Sequence, residues 1–430
     1  MHKLISDSNL VLQSTYARNV LTLMSGNLLA QLITLLAAPL LTRIYAPESF
    51  GALTLFVTVV AVLVPGIGGR YEVAVVVANA RERRDLLFIS LWLMLLLSLI
   101  FLLVLAVAFN LMSSLLNASL LGNWLWMTPL ALLLTGVIAA LRSWANAVKN
   151  YRQMSFAAVV QACSVTLLSI GIGGSRLLND GLMFANVVAL VLTCAYLAYV
   201  FRDLFRNGGW RWDRDKWKLA LRYKDYPLFN APSSILNGLM SGLPVVFLAR
   251  YFPEAVVGYY ALMVRVGVAP LSFIAVAVSD ANAKKVAEVL QAGQDPMPHL
   301  RRVTLALLAV AVPPSVLLVF NAPLLFSWVF GETWRQAGEL LAILMPALAV
   351  QFVVSPLSLS FLAAGHLRLQ TAWQVLSLLA TLAVFTWAGR TGDVEQFFWV
   401  FMIKDVALYG LYYTMLVFAL RHRNSRTIDG

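Results

Sequence analysis

Twelve apolar runs, each about the length needed to cross a bilayer, recur along the 430-residue chain and are separated by short charged or Pro/Gly-rich stretches. A helix must offer about 20 mostly apolar residues to span the hydrocarbon core. The spacing predicts spans at 20–42, 51–76, 87–109, 124–141, 155–174, 181–201, 228–249, 256–279, 303–327, 337–363, 371–389 and 396–420. Composition agrees: 60% of residues are hydrophobic and 12% charged, where a soluble domain carries about 25% charged residues. A soluble enzyme, a disordered chain and a secreted disulfide scaffold are excluded. The first run, through Ile44, exceeds a signal-peptide core of about 7–15 residues and reads as a retained first helix.

Charge placement predicts an orientation. The net charge is +12, with 32 Lys and Arg against 20 Asp and Glu. With the N-terminus inside, 24 of those cations fall in inner segments and 5 in outer loops (Arg43, Arg176, Arg250, Arg335 and Arg390). Arg70, Arg265 and Lys404 fall within spans. This is a strong positive-inside bias, and it predicts a multi-pass membrane protein with both termini cytoplasmic. Basic excess used this way does not point to nucleic acid. The longest polar segment, 202–226, is predicted to be cytoplasmic and interleaves Trp210, Trp212 and Trp217 with Arg211, Arg214, Lys216, Lys218 and Arg222. It reads either as an amphipathic helix at the headgroup boundary or as a solvated linker.

Nothing in the sequence implies a metal or other cofactor. Cys163 and Cys194 sit inside apolar runs and read as buried small hydrophobes. The four histidines (His2, His299, His366 and His422) are scattered, without ligand spacing.

The chain also repeats itself. Pro39, Arg43-Ile44-Tyr45-Ala46-Pro47-Glu48, Gly51 and Pro65 recur as Pro244, Arg250-Tyr251-Phe252-Pro253-Glu254, Gly258 and Pro270. The offset is about 206 residues, so six spans fall in each half: 1–201 and 227–430, joined by 202–226. An even number of spans gives both halves the same orientation. The predicted fold is therefore an all-α polytopic membrane protein of about 12 transmembrane helices. Its two six-helix lobes are related by a pseudo-two-fold along the membrane normal, an arrangement that puts a transport site between repeats. Pro39, Pro65, Pro129, Pro232, Pro244, Pro270, Pro313, Pro314, Pro346 and Pro356 fall within the predicted spans, and each favours a kink.

The segment Leu41-Thr42-Arg43-Ile44-Tyr45-Ala46-Pro47-Glu48-Ser49-Phe50-Gly51 resembles the first-loop signature of bacterial oligosaccharide-lipid flippases. These are the O-antigen and polysaccharide exporters of the multidrug/oligosaccharidyl-lipid/polysaccharide superfamily. Arg70-Tyr71-Glu72 and Tyr226-Pro227-Leu228-Phe229-Asn230-Ala231-Pro232-Ser233 fit the same pattern. So do Val257-Gly258-Tyr259-Tyr260-Ala261-Leu262 and Phe330-Gly331-Glu332-Thr333-Trp334-Arg335-Gln336-Ala337-Gly338. The resemblance covers residues 15–420 and implies a bundle that alternates between inward- and outward-facing states. It also implies a flippase that moves undecaprenyl-pyrophosphate-linked oligosaccharides of O-antigen, lipopolysaccharide or related polysaccharides to the periplasmic leaflet. The partners implied are that lipid-linked glycan, membrane lipid and other polysaccharide-assembly membrane proteins.

Such a task requires cations for phosphate and hydrogen-bonding or aromatic surfaces for sugar, and no nucleophile. Charges within spans are the sharpest candidates, because each is costly to insert. Arg265, near mid-membrane in the eighth predicted span, is suited to forked contact with phosphate or to an ion pair with Asp405. Lys404 and Asp405 are adjacent, about 100° apart on a helix, and are not expected simply to neutralise each other. Asp405 is also a candidate protonation site. Arg70 and Glu72 suit a gate or interfacial snorkelling, while Arg18 and Arg142 at inner ends suit phosphate attraction or topology alone. Arg43 and Arg250 are expected to orient their loops. Asn27, Gln31, Gln161, Asn186, Asn237, Gln351 and Gln374 are candidates for sugar hydroxyls or for helix–helix hydrogen bonds.

The runner-up is a multidrug cation exporter of the same superfamily, which would favour intramembrane carboxylates. A membrane glycan polymerase or ligase is disfavoured by outer loops of 14 residues or fewer without histidine. A membrane scaffold leaves the mid-span charges unexplained.

Overall fold

The computed structural model describes residues 2–115, 121–175, 180–206, 209–361 and 367–428, and all regular structure among them is helical. Among the described residues, eleven helices are long and apolar enough to cross a membrane, which makes this a multi-pass membrane protein. The chain divides into two compact units that exchange short segments: residues 1–45 with 52–242, and residues 46–51 with 243–430.

The first unit is built on α1 (His2–Ile44), α2 (Pro47–Ile67), α3 (Tyr71–Val77), α4 (Arg83–Leu115), α5 (Thr128–Ala147), α6 (Tyr151–Ser175) and α7 (Gly181–Val200). Small residues let these helices approach closely, as expected where lipid supplies no hydrophobic drive for association. Gly26 of α1 lies directly against Ser155 of α6, whose hydroxyl donates to the Thr22 carbonyl at 2.7 Å. Tyr45 is buried against Gly173 and Gly181, and its hydroxyl donates to the Ser169 carbonyl at 2.7 Å.

Segment 202–226 packs into this unit as α8 (Arg202–Arg206) and α9 (Arg214–Arg222). Trp92 Nε1 donates to the Trp210 carbonyl at 2.9 Å. Lys216 is buried and donates to the Gly209 and Arg211 carbonyls, each at 2.6 Å. A cation this deep is tolerated because backbone oxygens replace its water. Trp212, Trp217 and Leu221 face outward among exposed cations, as a headgroup-boundary helix would present them.

A π-helical turn (Tyr226–Asn230) leads into α10 (Ala231–Tyr251), which crosses from the first unit to the second. The second unit continues with α11 (Glu254–Met263), a π turn (Val264–Val268), α12 (Ala269–Gln291), α13 (Met297–Phe330), α14 (Arg335–Val354), α15 (Leu367–Gly389) and α16 (Val394–Ile428). Its core joins α12, α13, α14 and α16 through Val286, Leu307, Phe352, Phe361 and Leu416.

Several expectations need correction. The second predicted span ends at Ile67 instead of continuing to residue 76, because Gly69 (φ 56°) and Arg70 (φ 59°) both take the left-handed conformation. That conformation is free for glycine and uncommon for any other residue. The predicted span 256–279 is not one uninterrupted α-helix: the π turn at Val264–Val268 divides it. Pro129 and Pro270 fall in the first turns of α5 and α12, each entered directly from a preceding 3-10 or π-helical turn. Pro232 likewise opens α10, whereas Pro39, Pro65, Pro244, Pro313, Pro314 and Pro346 lie inside helices. Cys163 and Cys194 are free and half-buried rather than buried.

The repeat seen in the sequence extends to backbone detail. Tyr45 N–H bonds the Leu41 carbonyl at 2.9 Å and Ser49 N–H the Ala46 carbonyl at 3.1 Å. At an offset of 207 residues, Phe252 N–H bonds the Leu248 carbonyl and Val256 N–H the Pro253 carbonyl, each at 3.0 Å. Within the second unit the two turns also meet reciprocally: Gly51 abuts the Glu254 carbonyl and Gly258 abuts the Pro47 carbonyl.

Candidate functional site

The charged candidates resolve into two separate groups, one in each unit. In the first unit the left-handed turn after α2 turns Arg70 towards the π turn, where its Nε donates to Asn230 Oδ1 at 2.9 Å. Arg70 Nη1 lies 3.6 Å from Glu72 Oε1, and Glu72 is buried. Its other oxygen, Oε2, has no hydrogen-bond partner among the described residues. Gly68 and Gly69 give the turn its shape: a Cβ at Gly68 would strike Glu72 Oε2, and one at Gly69 would strike Leu93. Tyr71 O–H donates to the Ala220 carbonyl at 3.0 Å and ties the turn to α9. Two quoted motifs thus meet here, and Asn230 is the member that charge-based reasoning missed, although it stands in the motif.

In the second unit, Lys404 and Asp405 pair with each other at 2.6 Å. This overturns the expectation that neighbours on a helix would fail to neutralise one another. The long lysine stem folds its ammonium back to the carboxylate while the backbone directions stay apart. Lys404 Nζ also donates to Thr381 Oγ1 at 3.1 Å and sits 4.8 Å from the centroids of both Phe385 and Phe401. Cation–π contact of this kind replaces part of the lost hydration. Thr381 and the aromatic rings carried no sequence signal that set them apart from ordinary core residues.

Removing one partner of this pair should be worse than removing both. Lys404→Met leaves Asp405 largely buried without its partner, at a cost of about 3 kcal/mol. Lys404→Met with Asp405→Leu should recover much of that loss, as read from thermal unfolding of purified protein in detergent. Equal destabilisation by the single and double variants would contradict it.

Arg265 is not the partner expected for Asp405. It lies in the π turn, about 16 Å along the helix from Glu254 at 1.5 Å per residue. It is half-buried and makes no ion pair among the described residues. A π turn widens the helix and is often found at functional positions. Arg142 is half-buried on α5, also without an ion pair among the described residues. Arg18 belongs to α1, and its side chain lies outside the described residues.

The remaining quoted motifs form a packing hub instead of a binding surface. Trp334 is fully buried, with Phe50 at 5.0 Å and Tyr259 at 6.0 Å between ring centroids. Gly338 presses against the Ala322 carbonyl. The first-loop, Gly-Tyr-Tyr and Gly-Glu-Thr-Trp segments converge there.

Comparison with known proteins agrees with this architecture. A family model described as "Polysaccharide biosynthesis protein" matches residues 40–339, well over half of the chain. The teichuronic acid biosynthesis protein TuaB of Bacillus subtilis (strain 168) is 25% identical over 251 residues, 52% of this chain and 50% of that relative. The match thus spans half the length of that curated relative. Among solved structures, the lipid II flippase MurJ in an inward closed conformation aligns with a TM-score of 0.74 at 12% identity, covering 93% of this chain and 87% of MurJ. An inward-facing multidrug resistance MATE family transporter of the MOP superfamily aligns with a TM-score of 0.67 at 14% identity, covering 94% and 99%. The helical architecture, the hub of shared motifs and the family match agree: the chain belongs to the polysaccharide biosynthesis protein family and has the fold that MurJ and the MATE transporters share.

Proposed function

We propose that this protein is a flippase that carries undecaprenyl-pyrophosphate-linked oligosaccharide units from the cytoplasmic to the periplasmic leaflet by alternating access. The glycan is O-antigen or a related surface polysaccharide, and the protein resides in the bacterial inner membrane with both termini cytoplasmic. It works beside other polysaccharide-assembly membrane proteins. Family membership supports the pathway, and similarity to a teichuronic acid biosynthesis protein and to the fold of a lipid II flippase fits a saccharide passenger carried on lipid.

The observation that carries this reading is the imbalance of charge among the apolar helices. Lys404 and Asp405 cancel each other, and Arg265 is left without a carboxylate among the described residues. An uncompensated guanidinium in an apolar environment favours an anionic passenger, and its fork matches pyrophosphate oxygens. The lipid tail needs no protein path, because it can stay in the bilayer while the headgroup crosses. Arg70, Glu72, Arg18 and Arg142 act as a gate and as phosphate-attracting groups on the way in. The same imbalance disfavours a multidrug cation exporter, whose passenger Arg265 would repel.

A strain lacking this protein and any related exporter should accumulate lipid-linked oligosaccharide on the cytoplasmic leaflet and lose its surface glycan. Continued glycan export in that strain, together with new sensitivity to cationic drugs, would reject the flippase reading in favour of the exporter.

A further inference from the structure

A further cluster of cations lies in the second unit, apart from every charged group discussed above. Between the first turns of α13 and the later turns of α16 lies a cavity of 910 Å³. Arg301, Arg302 and Arg421 line it, and all three are exposed. None of them makes an ion pair among the described residues. The carboxylate in the wall, Asp295, is already engaged, since its Oδ1 accepts from the Met297 N–H at 3.0 Å. The start of α13 adds the positive end of a 34-residue helix. Three cations against one committed carboxylate make an anion pocket.

The lower wall is different in kind. Leu305 and Val417 line it with hydrocarbon. On the face of α13 that carries Arg301, the exposed residues Leu305, Leu308, Val312 and Val316 continue at spacings of three and four. A free phosphate would use the cations and leave this track idle. A lipid would use both.

We propose that this pocket binds the phosphodiester of an anionic glycerophospholipid of the leaflet predicted to be cytoplasmic, with an acyl chain laid along α13. Basic pockets between transmembrane helices on that side are suited to acidic headgroups. Guanidinium forks bind the phosphate oxygens in pairs. A choline headgroup brings its own cation against three others, so net charge, not phosphate alone, selects the lipid. This assignment is independent of what the protein transports.

The test uses the full chain in neutral detergent. Diazirine-bearing phosphatidylglycerol, the matching phosphatidylcholine and inorganic phosphate as competitor are added in separate arms, and crosslinked peptides are mapped by mass spectrometry. Each cation near an anionic lipid is worth about a fivefold change in occupancy. Phosphatidylglycerol should therefore label the peptides carrying Leu305 and Val417 at least fivefold more than phosphatidylcholine. Labelling should fall at least tenfold in Arg301→Ala/Arg302→Ala/Arg421→Ala and stay near wild type in the matching triple lysine variant. Arg421→Glu, a single reversal of an exposed side chain, gives the same reading if the alanine triple does not fold. Equal labelling by both lipids, or labelling unchanged by these substitutions, overturns the proposal. Displacement by millimolar inorganic phosphate overturns it as well and assigns the pocket to free phosphate.

Discussion

Arg265→Ala, in protein that inserts and folds as the wild type does, should abolish transport, while Arg265→Lys should keep part of it. The expectation follows from where the charge sits and what surrounds it. Arg265 lies in a π turn within apolar helices, half-buried and without a carboxylate among the described residues. An anionic headgroup reaching it would form a charge-assisted, two-pronged contact in a poorly hydrated setting. Deleting one partner of such a contact costs about 3 kcal/mol, which corresponds to about a hundredfold in rate. Lysine restores the charge but not the fork, so about a tenfold loss is expected of it. The measurement is transfer of lipid-linked oligosaccharide across vesicles containing the purified variants. Unchanged transfer by Arg265→Ala would remove this residue from the site. Equal loss in both variants would make guanidinium geometry, not charge, the requirement.

Gly258→Ala should be the most destabilising one-carbon change in the second unit. A Cβ there would overlap the Pro47 carbonyl, and the reciprocal position, Gly51, meets the Glu254 carbonyl in the same way. Neither neighbour can rotate aside, because both are backbone. Overpacking against movable side chains costs about 1–3 kcal/mol, and a clash with fixed backbone belongs at or beyond the top of that range. For a unit of this size, about 3 kcal/mol lowers the unfolding midpoint by about 10 °C. Gly410→Ala is the contrast, since nothing lies within 4 Å of the Cβ it would add to α16. Alanine should raise the midpoint there, by about the helix-propensity difference between the two residues. Equal stability of Gly258→Ala and wild type, by thermal unfolding in detergent, would show that the two turns can separate without loss.

These two residues illustrate how unevenly the site could be read in advance. Arg265 was legible because a charge inside an apolar run is conspicuous whatever the fold. Its π turn was not, since local hydrogen-bond register leaves no mark on hydropathy. Gly51 and Gly258 were visible as repeated landmarks, but their reciprocal contact joins segments 207 positions apart. Lys404 and Asp405 show the opposite failure. Helical geometry placed them 100° apart, and the flexible lysine stem closed the angle to a 2.6 Å ion pair. Asn230 acquired its role only when a left-handed turn at Arg70 brought the two groups together.

Sequence by itself determined that this chain crosses a membrane many times, that it is built from two repeated halves, and which few charges lie within apolar runs. Those properties depend on burial of individual segments in hydrocarbon, a cost that each segment meets alone. Tertiary structure alone decided where helices break, which charges cancel, and that the first-loop, Gly-Tyr-Tyr and Gly-Glu-Thr-Trp motifs serve packing at Trp334. Each of those outcomes depends on partners far away in the chain. Contacts within ångströms, not average hydropathy, set their energies.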